Sequence, residues 1–67
     1  MNLYTFKKLK VGDRILIDFP MRKTPMECEV VEAVTTDSDW IKTFIVNSRN
    51  KEPLNVPRVA IICKIEK

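Results

Sequence analysis

Histidine is absent from this chain of 67 residues, and glycine occurs once, at position 12. The first absence removes the side chain that most often moves protons near neutral pH and the commonest metal ligand. The second excludes a glycine-rich loop that cradles phosphates. Cysteine is scarce too. Cys28 and Cys63 are the only two, at a spacing that matches no metal motif. A small secreted scaffold carries four or more, so reduced, partly buried thiols in a cytoplasm are expected, although one disulfide is arithmetically open. Without histidine a four-ligand zinc site would need two carboxylates beside the thiols, so no metal and no cofactor are expected. No apolar run approaches the roughly 20 residues that a membrane span needs. The first residues, Met-Asn-Leu-Tyr-Thr-Phe-Lys-Lys, lack the apolar core of a signal peptide.

What is present points to one small globular domain over residues 1–67. Hydrophobic residues make up 45%, too many for a disordered chain. At this length folding buries only about 60% of the unfolded surface, which leaves little room for a deep active site. The net charge is +3, unevenly spread. Residues 1–23 carry six basic and two acidic groups. Residues 24–39 carry Glu27, Glu29, Glu32, Asp37 and Asp39 with no Lys or Arg. Residues 40–67 again carry six basic and two acidic groups. An acidic middle thus lies between two basic flanks, either as a solvated surface of mixed sign or as a basic face for nucleic acid with the acids elsewhere.

Local pattern predicts strands. Gly12-Asp13 is turn chemistry, because glycine takes positive φ without steric cost. After it Ile15, Ile17 and Phe19 recur every second residue between Arg14 and Asp18, which predicts a strand over residues 14–19, closed by Pro20. Residues 26–36 predict a second strand with a bulge or bend at Val30-Val31. The polar Thr36-Asp37-Ser38-Asp39 predicts a turn, and residues 40–47 a third strand. Trp40, Lys42, Phe44 and Val46 share one of its faces; Ile41, Thr43 and Ile45 share the other. A short strand is expected over 54–56, then a 3₁₀ turn at Pro57-Arg58-Val59. The last strand covers 60–65, with Ile61, Cys63 and Ile65 on one face. Residues 1–10 read as a leader: a short strand, a cover for one end of the core, or a short helix over 5–9. Four or five short strands about ten residues apart make an all-β barrel or a strongly bent sheet.

The order of these pieces resembles the SH3-like small barrels. Leu9-Lys10-Val11-Gly12-Asp13-Arg14-Ile15-Leu16-Ile17 is similar to their turn and second strand. Thr36-Asp37-Ser38-Asp39-Trp40 resembles their acidic loop running into a tryptophan. Leu54-Asn55-Val56-Pro57-Arg58-Val59-Ala60-Ile61 resembles the segment where a 3₁₀ turn precedes the last strand. The resemblance implies a single SH3-like barrel of five short antiparallel strands with a 3₁₀ turn before the last. The tyrosines that line the groove of peptide-binding members are missing, so polyproline recognition is not expected. Prokaryotic and viral members, including the KOW-type domains, are nearer in pattern, and these commonly bind nucleic acid or protein. The stretch from Val11 to Pro20 is also similar to the opening of the MazF/PemK toxin ribonucleases, but the arginine–proline strand motif that follows in them is absent.

No catalytic residue is expected. Glu27 and Glu29 share a strand face with nothing nearby in sequence to raise a pKa, and read as solvated. Ser38 and Ser48 have no base to activate them. Trp40 is the most informative residue. It is either packed in the small core, or it lines a groove where it holds a basic peptide or stacks a base. The first expectation is a non-catalytic module, a small phage or bacterial regulator in the cytoplasm, that docks on a protein through Trp40, Asp37, Asp39 and Pro57. The alternative is a nucleic-acid-binding domain that uses Lys7, Lys8, Lys10, Arg22, Lys23, Arg49, Lys51 and Arg58. Monomer and homodimer are both open.

Overall fold

The computed structural model describes residues 1–34 and 38–66. The chain is mostly strand: helix α1 (Leu3–Lys7) precedes β1 (Arg14–Ile17), β2 (Met26–Val30), β3 (Trp40–Ile45) and β4 (Leu54–Pro57). A 3₁₀ turn (Arg58–Ala60) then leads into β5 (Ile61–Ile65). One antiparallel sheet holds all five strands in the order β4-β3-β2-β1-β5.

That order forces the sheet to roll. In a flat sheet, four strand spacings of about 4.8 Å would hold β4 and β5 about 19 Å apart. Yet only the 3₁₀ turn joins them, and its four residue steps at about 2 Å each span about 8 Å. The two edges therefore curl toward each other. No ladder joins β4 to β5 among the described residues, so the expected barrel is rolled without being closed.

Inside the roll, alternate residues of each strand meet. Ile15, Ile17, Cys28, Val30, Ile41, Val56 and Ile61 are buried together with Phe6 and Leu9. Thr43 is the one buried polar residue among those described; its hydroxyl donates to the Leu54 carbonyl at 3.3 Å. The face of β3 that carries Ile41 and Thr43 is thus the inner one. Trp40 stands on the outer face, which sets aside its core reading.

Helix α1 is too short to hold itself together. Asn2 caps it, its side-chain oxygen accepting from the Thr5 N–H at 2.8 Å. Phe6 and Leu9, three apart, plug one opening of the rolled sheet. The amino terminus donates to the Ile61 carbonyl at 2.8 Å, and Arg58 Nη1 donates to the Met1 carbonyl at 3.0 Å. The leader is therefore a helical plug rather than a strand.

Glycine is required at position 12. The Asp13 N–H donates to the Lys10 carbonyl at 3.0 Å, which closes a four-residue turn with Gly12 third, at φ 94°. That is the place where a type II turn needs positive φ. The Gly12 N–H also donates to the Val30 carbonyl, and the Val30 N–H to the Asp13 carbonyl. Two residues therefore face one, which makes the turn a glycine bulge at the start of the β1–β2 ladder.

The expected bulge at Val30-Val31 is not the one that forms. Beyond the end of β2 the Val31 N–H still donates to the Lys42 carbonyl in the β2–β3 register. The second irregularity lies between β1 and β5. Leu16 pairs with Cys63 but Ile17 with Ile61, so β5 carries one extra residue there. An extra residue reverses which face the following side chains take. Ile61 points into the core, whereas Cys63 lies opposite outward-facing Leu16 and is exposed. The shared face expected for Ile61, Cys63 and Ile65 is corrected by that bulge, and so is the expected partial burial of Cys63. Burial raises the Cys28 thiol above its ordinary value, with Thr43 hydrogen bonding opposing. A thiol reagent in excess should label Cys63 at once and Cys28 only on unfolding, giving one fast equivalent and one that appears with denaturant. Two fast equivalents would show that the core opens readily.

Both sheet edges are guarded. The Arg58 N–H donates to the Asp39 carbonyl at 2.7 Å, in register with the β3–β4 ladder. Hydrogen-bonded pairs alternate along such a ladder, so Ile41–Val56 and Thr43–Leu54 bond inward while Asn55 and Pro57 face the open edge. Pro57 has no N–H to offer there, which blunts the edge without costing a ladder bond. At the other edge, β5 carries Lys64, whose amino group reaches Asp13 at 3.7 Å.

Candidate docking surface around Trp40

Trp40 opens β3 on the outer face, opposite Pro57 of β4, and is 54% exposed. Ser38 sets the approach of the chain: its Oγ accepts from the Trp40 N–H at 3.1 Å and donates to the Trp40 carbonyl at 2.9 Å. This is serine turn chemistry placed just before a strand. A shallow groove of about 200 Å³ runs beside the indole, lined by Glu32, Ala33, Ser38, Ile41, Lys42 and Asn55. Lys42 Nζ meets Glu32 Oε1 at 3.6 Å, and both side chains are well exposed. Asp39 stands next to the indole in sequence, and its Oδ1 meets Arg58 Nε at 3.3 Å. Asp37 lies outside the described residues.

Of the residues assigned to protein docking, Trp40, Asp39 and Pro57 are thus neighbours across the β3–β4 ladder. Arg58, assigned to the rival nucleic-acid site, joins them: it pairs with Asp39 and ties down the Met1 carbonyl. The other seven cations divide between the two ends of the sheet. Lys7, Lys8 and Lys10 precede Gly12, which bonds Val30 at the end of β2. Lys8 rests on Tyr4, its amino group 4.1 Å from the ring centre and 2.7 Å from the hydroxyl. Arg22 and Lys23 lie in the loop that enters β2 at Met26. Arg49 and Lys51 lie in the loop that leaves β3, where the Val46 N–H bonds the Glu27 carbonyl. These four share one end of the sheet. Lys51 lies 4.9 Å from the Phe44 ring centre and donates to the Val46 carbonyl.

Glu27 and Glu29 differ from the solvated pair expected. Both are half-buried on the outer face of β2 and converge on Arg14 of β1, at 2.6 Å and 3.4 Å. The Glu27 hydrogen bond holds the Arg14 guanidinium further above its ordinary value, so it stays charged. One cation between two carboxylates is a strand-pinning contact. It was invisible in sequence because Arg14 stands opposite Glu29 only through the β1–β2 register.

Sequence reasoning missed Glu32, Lys42 and Asn55 as groove residues. Asn55 alternates with buried Val56 on an edge strand, which is a legible signal for an outward side chain. Glu32 and Lys42 meet only because β2 and β3 pair. Among the described residues no three or more Cys, Asp or Glu side chains cluster in a way that would hold a metal ion. No described helix is long and apolar enough to cross a membrane.

No protein-family model, curated protein or solved structure matches the chain. Any functional reading therefore rests on the surface itself.

Proposed function

We propose that this chain is a non-catalytic binding module of the SH3-like kind, which docks on a protein partner through the groove beside Trp40. One observation carries the reading: the only tryptophan in the chain is more than half exposed. A domain this small is short of apolar burial. Burying a large apolar side chain stabilises a fold by about 1.5–3 kcal/mol. An indole left on the outer face forgoes much of that in the free protein, and it is the kind of side chain that anchors interfaces. Pro57 across the ladder extends the apolar surface. Support for the SH3-like assignment comes from the order of elements: a four-strand meander, a 3₁₀ turn, and a fifth strand returning beside the first.

Nucleic-acid binding is the weaker reading, because the cations divide between two ends and Arg58 is engaged with Asp39 and Met1. Regulation of a cytoplasmic partner without catalysis fits the shallow groove.

A photo-reactive phenylalanine analogue placed at position 40 tests the docking surface, with Tyr4, exposed on α1, as the control position. In extract of the source cells, position 40 should give a discrete adduct with protein that survives nuclease, and position 4 should not. Adducts equal at both positions, or lost with nuclease, would overturn the reading.

A further inference from the structure

One loop at one end of the sheet and the groove at the other carry matching groups, although Lys7, Lys8 and Lys10 share the groove's end. At one end, the loop between β1 and β2 presents Met21, 96% exposed, directly before Arg22 and Lys23. Neither cation has an ion-pair partner among the described residues. At the other end, beyond β2 and before β3, the Trp40 groove is flanked by Glu32 and Asp39. Each carboxylate meets a cation of its own chain through one oxygen, at 3.6 Å and 3.3 Å. The second oxygen of each accepts no hydrogen bond from the described residues. Both side chains are about two-thirds exposed.

We propose that the Pro20-Met21-Arg22-Lys23 loop of one molecule seats in the Trp40 groove of a second copy. The inference rests on the reading of Trp40 as a docking residue and names its partner. Three features favour this occupant. A flexible thioether packs well on an aromatic ring. Two cations following it meet two carboxylates beside the ring, and a guanidinium can also lie on an indole face. The loop cannot reach the groove of its own chain, because β2 separates them: five residues at about 3.3 Å put the two ends about 17 Å apart. Pro57 and Lys64 disfavour self-pairing at the two sheet edges. A contact of one loop in one shallow groove is small, so the association is weak and salt-sensitive.

Purified protein is the test. Sedimentation from about 10 µM to about 1 mM should show the average mass rising with concentration, and the rise should weaken at least tenfold in molar salt. Met21→Glu should abolish it. That residue is exposed, so its loss does not threaten the core. Trp40→Ala should abolish it as well, with circular dichroism confirming the fold. In the purified protein, the photo-reactive analogue at position 40 should cross-link to a peptide containing Met21 of another copy. A mass that stays monomeric throughout, or a cross-link that maps elsewhere, would overturn the inference. An adduct from cell extract with a different protein, beside a strictly monomeric purified chain, would overturn the self-docking inference and leave the Trp40 reading standing. Loss of both signals would overturn both.

Discussion

Phe6→Ala should cost the fold about 3–5 kcal/mol. Phe6 is fully buried and comes from a helix of five residues that has no independent stability. Removing a buried phenylalanine ring typically costs about 3–5 kcal/mol, from lost transfer energy and the cavity left behind. A chain of this length has roughly 3–10 kcal/mol in total at about 0.05–0.15 kcal/mol per residue. The substitution therefore consumes at least about a third of the stability available, and all of it at the low end of that range. It also removes a fully buried member of the core cluster that Leu9 shares. Urea denaturation followed by Trp40 fluorescence and circular dichroism measures the effect. Tyr4→Ala, on the exposed side of the same helix, should stay within about 0.5 kcal/mol of the parent. A Phe6→Ala protein as stable as the Tyr4→Ala protein would show that α1 is not part of the folding unit.

Gly12→Ala should cost about 1–2 kcal/mol, the penalty for a side chain in the left-handed region, and the cause should be backbone conformation alone. Gly12 has φ 94°, and a Cβ built on it meets nothing within 4 Å. No neighbour has to move, so the loss cannot be assigned to a clash. The strained turn also holds the bulge that sets the β1–β2 register, through the Gly12–Val30 bond. With a urea slope near 1 kcal/mol per molar, the midpoint should fall by about 1–2 M. Gly12→Asn should lose less, because asparagine tolerates positive φ better than alanine does. If alanine and asparagine are equally harmless, the turn is not positive-φ in solution. If both are as damaging as Phe6→Ala, the turn is crowded in a way the free space around Gly12 does not allow.

These two residues mark how far sequence reading reaches. The role of Gly12 was legible, because a lone glycine before an alternating run has one economical explanation. Phe6 was harder. A five-residue helix is too short for periodicity to show, and its lysines mask the Phe6–Leu9 spacing. The strand ends were overestimated at β1, β2 and β3, because a chain keeps alternating after it has lost its neighbour: Phe19 keeps the pattern, yet β1 ends at Ile17. For the candidate site, Ser38 and Trp40 were legible as a turn and a large aromatic, whereas Pro57, expected to open the 3₁₀ turn, closes β4 and the turn follows at Arg58–Ala60. Their joint placement with Glu32, Lys42 and Asn55 was not legible, since it depends on which strands pair.

By itself, the sequence determined a small chain rich in short strands, a glycine turn before β1, a 3₁₀ turn before β5, and the absence of histidine chemistry. These are local properties, set by side-chain alternation and by φ preferences. Only the tertiary structure decided which face of each strand is inside. The extra residue in β5 turned Cys63 outward, and the β3 pairing put Ile41 and Thr43 inward and Trp40 outward. Facing is settled by register, and register is a property of two strands rather than one.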